Sequence, residues 1–170
     1  MGVAPFPELT DPSVSRDTRI YFFLGEAPAN LTHERALFRN EKELERFLVA
    51  NFYYVPIVEG LRLRRPQYLV GGKRVDICCE ETETDRLVGV GLKCREADSG
   101  LPVQMNNYMR RLERLAAKEN RSGARGMVIT GQPTPAIERD LRTLCKRDGH
   151  DVSWHYYTAL LDTSISPRWA

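Results

Sequence analysis

No apolar run in this 170-residue sequence is long enough to cross a bilayer, and no secretory signal is visible, so a soluble cytoplasmic protein is expected. Cysteine is sparse: Cys78, Cys79, Cys94 and Cys145 have no metal-type spacing, which argues against a zinc module and a disulfide framework and fits a reducing compartment. The three histidines (His33, His150, His155) lack cysteine or carboxylate companions at ligand spacing and read as structural or exposed. Charge of either sign is not in large excess. A net +2 from 25 basic and 23 acidic residues does not by itself announce a nucleic-acid partner, so the placement of the basic residues has to be read. No phosphate loop or dinucleotide motif surrounds Gly71-Gly72, which reads as a turn, and no internal repeat or low-complexity tract is present.

What is present is an orderly alternation of periods. Residues 1–31, with Pro5, Pro7, Pro12 and Pro28 around the apolar run Ile20–Leu24, read as an arm with a short strand, and residues 32–170 as a single domain. Asn40 and Glu43 have the form of an N-cap with a capping box, ahead of Leu44, Phe47, Leu48 and Phe52 at helical spacing. Three strands follow, at Leu61–Leu63, Arg74–Cys79 and Leu87–Cys94. In the second, Val75, Ile77 and Cys79 are expected on one face with Asp76 and Cys78 on the other. In the third, Val88, Val90, Leu92 and Cys94 oppose Gly89, Gly91 and Lys93. The polar link Glu80–Arg86 suits a hairpin, which brings Asp76 and Lys93 together.

Pro102 opens a helix over about Val103–Glu119, with Met105, Met109, Leu112 and Ala116 as its apolar side. A strand at Ala124–Thr130, an N-cap at Thr134, a helix over Ala136–Lys146 stopped by Gly149, and a strand at Val152–Leu161 complete the chain. The order predicts an α/β fold with a mixed central sheet flanked by helices.

Basic residues cluster before and on these elements: Arg62, Arg64, Arg65, Lys73 and Arg74 before the aspartate strand, and Arg110, Arg111, Arg114, Lys118 and Arg121 along the second helix. Lys73, Arg74, Arg110, Arg111 and Arg114 are the candidates for nucleic-acid contact. A solvated helix face is the plainer reading of the second cluster.

Taken in order, Glu41-Lys-Glu-Leu-Glu45, Gly72-Lys-Arg-Val-Asp76-Ile, Leu92-Lys93 and Gln104-Met-Asn-Asn-Tyr108 resemble the PD-(D/E)XK nuclease superfamily, most nearly the catalytic domain of mismatch-type endonucleases, over about Asn40–Leu144. The resemblance implies a restriction-endonuclease-like fold and a metal-dependent DNA endonuclease that hydrolyses phosphodiesters. It carries over Asp76 as a ligand of Mg2+ or Mn2+, Lys93 as the group assisting the attacking water, and Gln104 beside them. DNA is the expected partner, RNA an alternative, a homodimer is left open, and no membrane association is expected.

Two departures weigh on that reading. The branch precedes its catalytic domain with a large β-rich DNA-binding and dimerising domain, whereas residues 1–31 read as a short arm. The second motif acid is replaced by Gly91, which leaves Asp76, the Leu92 carbonyl, waters and a substrate phosphate for a hard cation. Glu80 lies on the expected Asp76 face but roughly 13 Å along the strand, too far to share an ion. Glu96 or Asp98 could return through a bend, which nothing in the sequence requires. Glu45 or Glu41 is the better substitute, because such helix carboxylates lie near the site in the family. Three functions stay open: an active endonuclease, a catalytically degenerate nuclease fold that binds nucleic acid, and a protein-binding module built on the same fold.

Overall fold

A computed structural model describes residues 2–5, 19–24, 34–36, 38–55 and 60–162. Of the amino-terminal arm expected over residues 1–31, strands β1 (Gly2–Pro5) and β2 (Arg19–Leu24) are described, and the rest lies outside the described residues. Strand β3 (Glu34–Ala36) follows. Helix α1 (Glu41–Ala50) begins at the expected cap, where the Asn40 side chain accepts from the Glu43 N–H at 3.0 Å, but the Glu43 carboxylate accepts from the Arg39 N–H at 2.9 Å, one residue ahead of the N–H that closes a capping box.

Strands β4 (Leu61–Val70), β5 (Lys73–Glu81) and β6 (Arg86–Lys93) form the expected antiparallel meander. Gly71 and Gly72 close its first turn at φ +56° and +82°, a region where a side chain would be strained. Helix α2 (Leu101–Lys118), strand β7 (Gly123–Thr130), helix α3 (Pro135–Asp148) and strand β8 (Val152–Asp162) complete the order. Gly149 ends α3 in the left-handed conformation at φ +76°.

The sheet runs β1-β2-β8-β7-β6-β5-β4, with β3 also paired to β8. Strands β6, β7 and β8 are mutually parallel and every other pairing is antiparallel. The fold is therefore α/β and restriction-endonuclease-like, with a five-strand mixed core of β4 to β8. Helix α1 covers one face, where Leu44, Phe47 and Leu48 pack on Ile77, Cys79, Val88, Val90 and Leu92. Helices α2 and α3 cover the other, with Met105, Leu112, Leu141 and Cys145 over Val75, Cys78, Leu87 and Val128.

Three details differ from expectation. Strand β4 extends to Val70, because its register shifts between Leu63 and Arg65 and Gln67 takes φ +49°, interruptions that hide the alternation of an edge strand. Val75 packs beneath α2 with Cys78 while Ile77 and Cys79 pack beneath α1, so strict alternation fails between Val75 and Ile77. Thr134 does sit at the start of α3, but its hydroxyl accepts from the Ala97 N–H at 3.2 Å instead of capping its own helix.

Helix α2 lies unusually close to the sheet. A Cβ at Gly89 would meet Leu112 at 3.1 Å, one at Gly91 would meet the Met105 sulfur at 3.0 Å, and one at Gly126 would meet the Met109 sulfur at 3.0 Å. Gly89 and Gly126 are register partners across β6 and β7, so the glycines form a flat seat. At the end of β6 the Gly131 N–H donates to the carbonyls of Lys93 (3.0 Å) and Arg95 (3.1 Å), and a Cβ there would collide with the Cys94 carbonyl oxygen. Gly131→Ala should therefore lower unfolding free energy by about 1–3 kcal/mol through overpacking, read from denaturant melts. An unchanged midpoint would show that the approach is not required.

Candidate functional site

Strands β5 and β6 separate at the carboxyl end of β6. Their register ends at Ile77 opposite Val90, which places Asp76 and Gly91 next to each other as the following cross-strand positions. Beyond that point the Leu92 N–H has no strand partner on β5 and donates instead to the Asp76 carboxylate at 2.7 Å. The bond makes good a backbone donor that strand divergence would otherwise orphan, and it aims the aspartate across the gap. Open α/β sheets build sites at the carboxyl ends of their parallel strands, where β6 and β7 end here.

Asp76 is mostly buried, and that desolvation first, then the charges of Glu45 and Glu41, raise its carboxyl above the ordinary aspartate range. The Leu92 N–H and Lys93 act in the opposite direction. Lys93 is pulled down by burial, but the hydrogen bond and charge of Asp98, helped by Glu41 and Asp76, outweigh it and hold the ammonium above its usual value. Asp76, Lys93, Glu41 and Glu45 thus share one electrostatic neighbourhood, contributed by β5, β6 and α1. Burial first, and then the charge of Glu41, push the Cys94 thiol up as well, which marks the reach of Glu41 to the end of β6.

The remaining sequence candidates separate. Gln104 is exposed on the first turns of α2, and its side-chain amide donates to the Tyr108 hydroxyl at 2.7 Å; no described contact ties it to Asp76 or Lys93. Arg111 reaches the β4–β5 turn, donating to the Gly71 carbonyl, and so docks the segment carrying Lys73 and Arg74 on α2. Arg110 is turned away, paired with Asp148 of α3 at 2.6 Å. Among the described residues no side chain pairs with Lys73, Arg74 or Arg114. Farther along β5, Glu80 is held by Arg62, Arg64 and Arg121, so it belongs to a separate ion-pair network.

Gln67 and Met105 were not legible as site residues, and Asp98 was legible only as an acid that a bend could return. Asp98 does return through the bend after β6, with its carboxylate 3.0 Å from the Lys93 ammonium. Gln67 stands opposite Asp76, between the pairs Pro66–Ile77 and Tyr68–Val75, and its amide donates to the Glu45 carboxylate. A non-glycine residue at φ +49° inside a strand stores strain of a kind concentrated at functional sites, and Pro66 was the only sequence signal of irregularity there. Met105 read simply as part of the apolar side of α2, yet its sulfur fills the space in front of Gly91.

No ready-made divalent-cation cluster is present among the described residues. Gly91 has no oxygen to offer, one Asp76 oxygen is taken by Leu92, and among the described residues no three histidine, cysteine, aspartate or glutamate side chains group closely enough to hold a metal. Glu41 and Glu45 interact with Asp76 through space without forming such a group.

The fold is the restriction-endonuclease-like one, and a solved structure supports this. No protein-family model matches the chain, and no curated protein does. Among solved structures it is similar to EndoMS in complex with double-stranded DNA, with a TM-score of 0.52 and 20% identity over 74% of this chain and 48% of that one. It also matches a repair endonuclease from Pyrococcus abyssi, with a TM-score of 0.48 and 18% identity over 71% and 49% of the two chains. The chain spans about half the length of these structures. Within the described residues no helix is long and apolar enough to cross a membrane.

The raised Asp76 value carries a sign. A carboxyl whose folded value lies above its unfolded value binds protons more tightly when folded, so its contribution is full at pH below the ordinary aspartate value and is lost as pH rises through the folded value. Asp76→Asn keeps an acceptor for the Leu92 N–H without the charge. Its stability should gain on wild type as pH rises from about 4 to 8, followed by urea midpoints. A gain for wild type over that range would mean that Leu92 and Lys93 outweigh burial.

Proposed function

We propose that this chain is a nuclease-fold DNA-binding protein in which the frame for phosphodiester hydrolysis persists without a complete metal centre. The observation that carries this reading is the docking of the β4–β5 turn onto α2 by Arg111. It ties the turn ahead of Lys73 and Arg74 to the helix that carries Arg114, and none of these three cations has a side-chain partner among the described residues. DNA phosphates are the anions such a cation array takes, and they are recognised without reference to base sequence. Lys93 adds little to the array, because Asp98 pairs with it. Arg111 serves the array by fixing the turn, and Arg110 contributes little because Asp148 neutralises it.

A second reading, an Mg2+- or Mn2+-dependent endonuclease whose missing acid comes from α1, is favoured by one specific arrangement. Gln67, strained and opposite Asp76, holds the carboxylate of Glu45, and Glu45 and Glu41 both press their charge on Asp76. This crowding of like charges is what a cation would relieve.

Fluorescence anisotropy with duplex DNA across a salt series, alongside plasmid nicking in Mg2+ and Mn2+, separates the two. Binding should weaken steeply with salt, and Lys73→Ala with Arg74→Ala should reduce the slope of log K against log salt by about 2 and affinity by roughly tenfold or more. Wild-type protein should leave the DNA intact. Absence of salt-dependent binding sinks the DNA reading, while cleavage abolished by Glu45→Gln and by Asp76→Asn establishes the second.

A further inference from the structure

We propose that Met105 seals the position of the missing acid, so that Asp76 and Lys93 frame a closed cation site that opens only when residues 91 and 105 change together. The inference rests on the reading of an incomplete metal centre and says how that centre is closed. Gly91 and Asp76 are the residues just past the last register pair, Ile77–Val90, and the Asp76 carboxylate accepts from the Leu92 N–H next to Gly91, so an acid at position 91 would start beside Asp76. That space is filled: a Cβ at Gly91 would lie 3.0 Å from the Met105 sulfur, before the rest of any acidic side chain is added.

Met105 has no route to solvent. It is 1% exposed, and its methyl end is held against β7, where a Cβ at Gly126 would lie 3.1 Å from it. Leu101, Val128, Leu141 and Cys145 complete the cluster around it. Both ends of the side chain are thus fitted to glycines, Gly91 on β6 and Gly126 on β7. A thioether is a soft, weak donor that does not replace a carboxylate for Mg2+ or Mn2+. Gly91 is therefore a packing residue as well as an absent ligand, and a carboxylate introduced alone would be forced into an occupied, apolar volume.

The test compares the full-length wild type, Gly91→Glu, Met105→Ala and the double variant, with Mn2+ as the probe read by calorimetric titration and by thermal shift in DNA-free protein. Gly91→Glu alone is expected to lose Tm by roughly 5 °C or more and to bind Mn2+ no better than wild type. The double variant should bind Mn2+ more than tenfold tighter than either single variant, with a matching rise in Tm, and Asp76→Ala in that background should remove both. Tight Mn2+ binding by Gly91→Glu alone, or a folded double variant indifferent to Mn2+, overturns the proposal.

Because Gly91→Glu could fail to fold, Gly91→Ala provides a second check. It should lower Tm in the wild-type background and cost no more than half as much with Met105→Ala. Equal loss in both backgrounds overturns the seal. Asp76-dependent Mn2+ binding by wild-type protein would overturn it too. Each outcome is read without DNA, so it stands or falls separately from the DNA-binding reading.

Discussion

The close seat of α2 on the sheet constrains the rest of the molecule. Close-packed interiors have no spare volume, so a helix can approach a strand this nearly only where side chains are missing from one surface. Gly89, Gly91 and Gly126 supply that missing surface, and Leu112, Met105 and Met109 fill it. The same contact decides the local chemistry. Whatever occupies position 91 must coexist with a fully buried thioether, and only glycine does so without displacing it. Packing and loss of the acid are two consequences of one geometry.

Electrostatics follow from the same place. Where β5 and β6 part, the Leu92 N–H needs a partner and takes the Asp76 carboxylate, which is thereby drawn into a poorly solvated gap beside Glu41 and Glu45. Lys93 offsets part of that negative charge, and its own ammonium is stabilised by Asp98. Elsewhere the basic residues are largely spent on internal pairs: Arg62, Arg64 and Arg121 on Glu80, and Arg86 and Arg125 on Glu81. Such pairs tie strands and helix ends together.

Much of the architecture was readable because its signals are local. The Asn40 cap, the Gly71-Gly72 turn, the apolar side of α2 at Met105, Met109, Leu112 and Ala116, and the stop at Gly149 each depend on a few adjacent residues and are found where expected. A hairpin of fixed period predicted Asp76 beside Lys93; the two do feel each other's charge, although the alternation on which that expectation rested fails at Asp76 itself. The misreadings share a cause of the opposite kind. A register shift at Arg64 and a left-handed Gln67 break the alternation of β4, and the face of Val75 is exchanged beside the same irregularity. Arg110 and Arg111, adjacent in sequence and alike in type, are sent to different tasks by neighbours forty residues away, Asp148 and Gly71.

The sequence alone determined the order of elements from α1 to β8, the mixed sheet they require, and a strand aspartate followed by a strand lysine with glycine where an acid would stand, whereas of the three strands ahead of α1 it showed only one. These rest on backbone period, capping and turn chemistry, which act over a few residues. Tertiary structure decided what the glycine means. Whether position 91 is an empty coordination site or a filled packing site depends on how far α2 stands from β6, and that distance is set by side chains from three separate elements meeting in one volume.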